Sequence, residues 1–146
     1  MNKILNHLGT ISWFFIFPVF VLIIYIILML FLKIYFIFPW YDIPVHIIGG
    51  ASLAITYFLT LQYFQKNKYL DMNGFFEVLF IFALVSLTAV FWELFEFFVS
   101  YLTGWISQGD LQDTMADLFF GILGGLFTAI FLESQVKRYF KPKQSL

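Results

Sequence analysis

Four apolar stretches, each long enough to cross a bilayer as a helix, constrain this chain more than any other feature. They run from about Ile11 to Phe38, Ile43 to Phe64, Phe75 to Leu102, and from Thr114 to Leu132. Inside hydrocarbon every backbone N–H and C=O must find its partner within the segment, and for isolated stretches only the helix achieves that. The chain is therefore expected to be all-α: an integral membrane bundle of four transmembrane helices (about 11–38, 43–64, 75–102 and 114–139) in a single transmembrane domain, 1–146. Charged residues make up 12% of the chain, against roughly 25% in soluble domains. The first stretch is too long for the apolar part of a signal peptide and precedes no small-residue cleavage site, so it is expected to remain as a helix.

Orientation follows from the sorting of charge. Lys3, Lys66, Lys68, Lys137, Arg138, Lys141 and Lys143 lie in the N-terminus, the second loop and the C-terminus. Four spans put those three segments on one face, which the positive-inside rule makes cytoplasmic. Both termini are then cytoplasmic, and the loops Pro39–Asp42 and Thr103–Asp113, which carry no Lys or Arg, face outward. The expected location is the cytoplasmic (inner) membrane of a bacterium or archaeon, as a multi-pass protein.

Six of the nine carboxylates collect at the outward ends of three helices: Asp42, Glu93, Glu96, Asp110, Asp113 and Asp117, with His46 among them. Lys33 is the one basic residue on that side. Ionisable groups within membrane helices are costly and usually functional, and a carboxylate at a helix centre costs ~2.5–3.5 kcal/mol. Asp42, His46 and Gly49/Gly50 share one face of the second helix, while Ser86, Ala89, Glu93, Glu96 and Ser100 form a stripe on the third. Glu93 would lie ~14 Å from the end of its helix, and His46 and Asp117 only ~5 Å from theirs. A helix of about 28 residues is ~42 Å long, however, and the hydrocarbon core only ~30 Å thick. Protrusion or tilt of the third helix would bring the acids to one level.

The second and fourth helices open alike, with Asp42-x-x-x-His46-x-x-Gly49 and Asp113-x-x-x-Asp117-x-x-x-Gly121. A parallel repeat would set these starts face to face, although the other two helices carry no matching pattern. Gly121 and Gly125 have the spacing of close helix packing. Glu77 and Glu133 lie near the basic face and are assigned no role in a site. Glu133 is spaced for an i,i+4 pair with Lys137.

Three agents could neutralise the outer cluster: a bound metal, shared protons, or a cationic substrate. With no cysteine in the chain, thiolate metal sites are excluded and oxygen and imidazole ligands favour Mg, Mn, Ca or Zn. The expected metal ligands are His46, Glu93, Glu96, Asp113 and Asp117, with Asp42, Asp110 and Lys33 at the second shell or rim. No residue is singled out as catalytic. The sequence has no His-Glu-x-x-His, nucleophile elbow or phosphate loop, no nucleotide or haem signal, and nothing that points to nucleic acid.

Tyr41-Asp42-x-x-x-His46-x-x-Gly49, then Glu93 and Glu96, then Gln108-Gly109-Asp110-x-x-Asp113-Thr114-x-x-Asp117-x-x-x-Gly121 resembles the YjdF-like bacterial inner-membrane family. The order of these elements is distantly similar to VanZ-like membrane proteins. The resemblance covers about Tyr41 to Gly125 and implies an inner-membrane protein of uncharacterised activity. Taken together, the residues lead to a metal-dependent hydrolase or transferase acting on a lipid or envelope precursor. The alternatives are a cation or proton transporter subunit, for which a homodimer could complete a path, and a structural or assembly protein with a bound ion.

Overall fold

The computed structural model describes residues 9–30, 37–38, 40–104 and 109–140. They form helices α1 (Ile16–Leu30), α2 (Asp42–Lys66), α3 (Gly74–Thr103) and α4 (Leu111–Phe140), with no strand among the described residues. Four segments are long and apolar enough to cross a membrane: Gly9–Leu28, Asp42–Lys66, Gly74–Thr103 and Leu111–Val136. Lys33 lies outside the described residues, as does the side chain of Lys137.

Local chemistry sets the helix ends. Asn73 caps α3, accepting from the N–H groups of Phe75 and Phe76 at 3.1 Å each. At the other end Gly104 takes the left-handed conformation (φ 69°) that closes α3, its N–H bonded to Ser100 O. Asp110 caps α4, its Oδ1 accepting from the Asp113 N–H at 3.0 Å. The first span contains Pro18, which has no N–H for the carbonyl of Phe14. A turn falls at Phe15, just upstream. Phe14 O instead accepts from the hydroxyl of Thr56, which is fully buried on α2, at 2.9 Å. A carbonyl released by proline thus becomes a tie between α1 and α2.

Cross-helix contacts fix the directions. His46 meets Asp117 and Gly50 meets Gly121, so α2 and α4 run parallel; Phe14–Thr56 and Tyr25–Glu96 place α1 antiparallel to α2 and parallel to α3. The α2–α4 pairing is the tightest in the bundle. A Cβ on Gly50 would run into the carbonyl of Gly121, and one on Gly124 into the backbone of Ile47. Such contacts are how helices associate where lipid supplies no hydrophobic drive. Further toward the basic end, Ala54, Phe58, Leu61, Ile81, Val85 and Ala129 form a buried apolar layer.

Beyond that layer, Glu77 and Glu133 are buried, at 3% and 7% exposure. Glu77 accepts from the side-chain amides of Gln62 (2.7 Å) and Gln65 (3.3 Å), which satisfies a carboxylate that the sequence left without partners.

Neighbouring glycines separate packing from propensity. Gly124→Ala should destabilise the bundle by about 1–3 kcal/mol, since its Cβ meets immovable backbone. Gly49→Ala should leave the melting temperature unchanged or slightly raised, because nothing lies within 4 Å of its Cβ. Thermal unfolding of both variants in detergent checks the contrast; equal effects would show that the glycines do not set the crossing.

Candidate metal centre

The site grows directly from the glycine contact. His46 stands one turn before Gly50 on α2, and Asp117 one turn before Gly121 on α4, so touching backbones at the glycines set the two side chains opposite one another. His46 Nε2 lies 3.7 Å from Asp117 Oδ1 and 3.5 Å from Asp42 Oδ1. Both separations exceed an ordinary hydrogen bond of about 2.7–3.2 Å. One ligand atom from each of Asp42, His46 and Asp117 falls within 4.8 Å of the others. Asp117 is 4% exposed, and Asp42 Oδ1 is buried without a hydrogen-bond partner among the described residues. His46 is thus close enough to pair with both aspartates, and the three side chains form one group.

Asp42 is therefore a member of the central group, where the sequence places it at the rim. Tyr41 occupies the cap position of α2 without a side-chain capping bond, and Asp42 sits in the first turn with its carboxylate toward His46. Asp113 is exposed, and its carboxylate folds back over Gly109, where a Cβ would collide with it. Asp110 serves as the α4 cap. Glu93 and Glu96 are buried at 6% and 7% exposure. Glu93 interacts electrostatically with His46 and Asp117, and Glu96 with His46, Asp42 and Asp117. These interactions put the two glutamates at the level of His46 and Asp117.

Two tyrosines complete the surroundings: Tyr41, which opens the Tyr41-Asp42-x-x-x-His46 motif, and Tyr25, which has no role assigned from sequence. Tyr25, from the middle of α1, donates to Glu96 Oε1 at 3.4 Å and is within hydrogen-bonding reach of Tyr41. Its ring stacks on Tyr41 (centroids 6.5 Å apart, planes at 13°) and meets Trp92 edge-on at 6.2 Å. Burial, and then the charge of Asp42, push the Tyr41 phenol up to about 12, which keeps it neutral and able to donate at physiological pH. The signal for Tyr25 was its isolation as a polar residue in an otherwise apolar helix.

Fold and site together define a multi-pass helical membrane protein with a histidine–carboxylate group at one end of the bundle. More particularly, residues 6–138 match the family described as predicted membrane protein (DUF2238), and the chain belongs to that family. No curated protein and no solved structure matches it.

The two aspartates at the start of α4 should separate by experiment. Asp110→Ala is expected to lower stability by about 1 kcal/mol through loss of the cap, and Asp110→Asn to keep it. Asp113→Ala should be close to neutral. Detergent unfolding curves decide, and equal losses for both alanine variants would contradict the assigned roles.

Proposed function

We propose that this protein is a membrane enzyme holding one divalent cation between Asp42, His46 and Asp117, and using it on a lipid or envelope precursor as a hydrolase or transferase. The observation that carries this proposal is the mutual reach of the three donor atoms, within 4.8 Å of one another. Separations of 3.5 and 3.7 Å suit neighbouring ligands on an ion with bonds of roughly 2.0–2.4 Å. An imidazole with carboxylates, in a chain without cysteine, suits Mg, Mn, Ca or Zn.

Such an ion would polarise a phosphoryl or acyl oxygen or activate water. Glu93 and Glu96, buried behind the group, would accept protons or supply further oxygen ligands as substrate enters. Tyr25 orients Glu96 through its hydrogen bond. Positive-inside sorting supports a site on the extracytoplasmic face of an inner membrane, at headgroup depth. The YjdF-like resemblance rests on a run that contains Asp117 and is in keeping with this location.

Transport is the weaker alternative. Fully buried Ile81, Ala54 and Ala129, with Val85 at 1% exposure, lie between the outer acids and the Glu77–Gln62–Gln65 group. Through the bundle a cation would have to pass that apolar layer.

Elemental analysis of protein purified in mild detergent should find about one divalent ion per chain. His46→Ala and Asp117→Asn should each weaken its binding at least tenfold, and Asp113→Ala should retain it. Affinity should fall as pH falls, because the ligands bind metal only when deprotonated. Absence of any bound divalent ion, or unchanged binding in both variants, would sink the proposal.

A further inference from the structure

A cavity of about 370 Å³ lies between α1, α2 and α3. Its walls include Phe15 and Leu22 of α1, Gly49 and Leu53 of α2, and Val85 and Trp92 of α3. Pinning of α1 at two points keeps the space open. Near one end Phe14 O is held by Thr56, and near the other Tyr25 is bonded to Glu96. Pro18 and Leu22, between these ties, line the gap without closing it.

Shape and polarity both point to an occupant. Along α2 the lining runs from Val45 to Tyr57, a rise of ~18 Å, which is about one leaflet of a ~30 Å hydrocarbon core. Most of this lining is apolar, and its polar groups are already engaged: Ser52 donates to Gly49 O at 2.7 Å, and the hydroxyls of Tyr57 and Thr88 bond each other at 2.6 Å. At the site end the lining changes to His46 and Tyr25, with Asp42, Glu96 and Asp117 directly beyond. An apolar cavity of leaflet length that ends at polar groups is complementary to an amphiphile.

We propose that the cavity seats a single hydrocarbon chain of a membrane amphiphile and presents its phosphate head to His46 and Asp117. This rests on the metal-centre proposal for the head, since a divalent ion must bridge a phosphate to carboxylates. The tail half stands on the cavity alone. The substrate class is then a phosphate-headed amphiphile that enters sideways from the bilayer with one chain.

Photolabelling tests it. Full-length protein in lipid bilayers is exposed to lysophosphatidic acid carrying a diazirine in its acyl chain, and labelled peptides are mapped. Label should concentrate on residues 15–25 and 85–92. It should drop at least fivefold in Gly49→Leu, whose Cβ projects into open space, and in Ala89→Phe, another lining position. Melting temperatures of both variants show whether each is folded, and a loss of label counts only in a variant that unfolds like wild type. Label spread evenly over the outward face around residues 127–131, or undiminished in both folded variants, would overturn the proposal. Bound metal is measured on the same samples. Metal without cavity label defeats this inference and leaves the centre standing; cavity label that survives a chelator, with no metal bound, defeats the centre and the bridged head and keeps the tail.

Discussion

Everything at the site depends on how closely the backbones of α2 and α4 touch at Gly50, Gly121 and Gly124. In lipid, apolar side chains gain nothing by leaving their surroundings, so helices are held by close packing and by polar contacts between them. Removing side chains at the crossing lets the backbones meet, and the residues one turn before the glycines then have to face one another. Those residues are His46 and Asp117. A side chain at Gly50 or Gly124 would push the helices apart and widen the 3.7 Å gap between imidazole and carboxylate.

The same crossing divides the bundle into layers. At one end His46, Asp42, Asp117, Glu93 and Glu96 are gathered; at the other, Glu77 is held by Gln62 and Gln65; dry apolar packing from Ile81, Val85, Ala54 and Ala129 separates them. The two ends therefore differ in kind. Glu77 is satisfied by neutral amide donors and orders the start of α3. The outer group has an imidazole, His46, as the nearest partner of Asp42 Oδ1 in place of amide donors. The first helix stands apart from this layering. Proline frees one of its carbonyls for Thr56 and a lone tyrosine reaches Glu96, so α1 is tied at two points and stands off between them.

Much of this was legible in the sequence because the bilayer leaves so few options. Helical class and the four spans follow from hydrophobic length, and the outer acids are conspicuous because charge is rare elsewhere in the chain. The shared Asp-x-x-x-(His/Asp) openings of the second and fourth helices did hint that these starts face each other, and in the structure Asp42, His46 and Asp117 do meet. What stayed hidden depends on rotamers and caps. Asp42 was expected at the rim and Asp113 among the ligands; the rotamers instead set Asp42 against His46 and turn the Asp113 carboxylate toward Gly109. Burial of Glu77 was hidden because its partners Gln62 and Gln65 come from another helix, and Thr56 carries no sequence sign that it will meet a carbonyl freed by Pro18.

The central claim is that His46 and two aspartates, from helices brought together by glycine, share one divalent ion. Pulsed electron paramagnetic resonance of Mn²⁺ added to the purified protein tests this most directly, because a coordinated imidazole modulates the echo through its nitrogen. The account predicts one bound Mn²⁺ per chain with nitrogen coupling that disappears in His46→Gln. Manganese surrounded only by water, or nitrogen coupling that persists without His46, would contradict it.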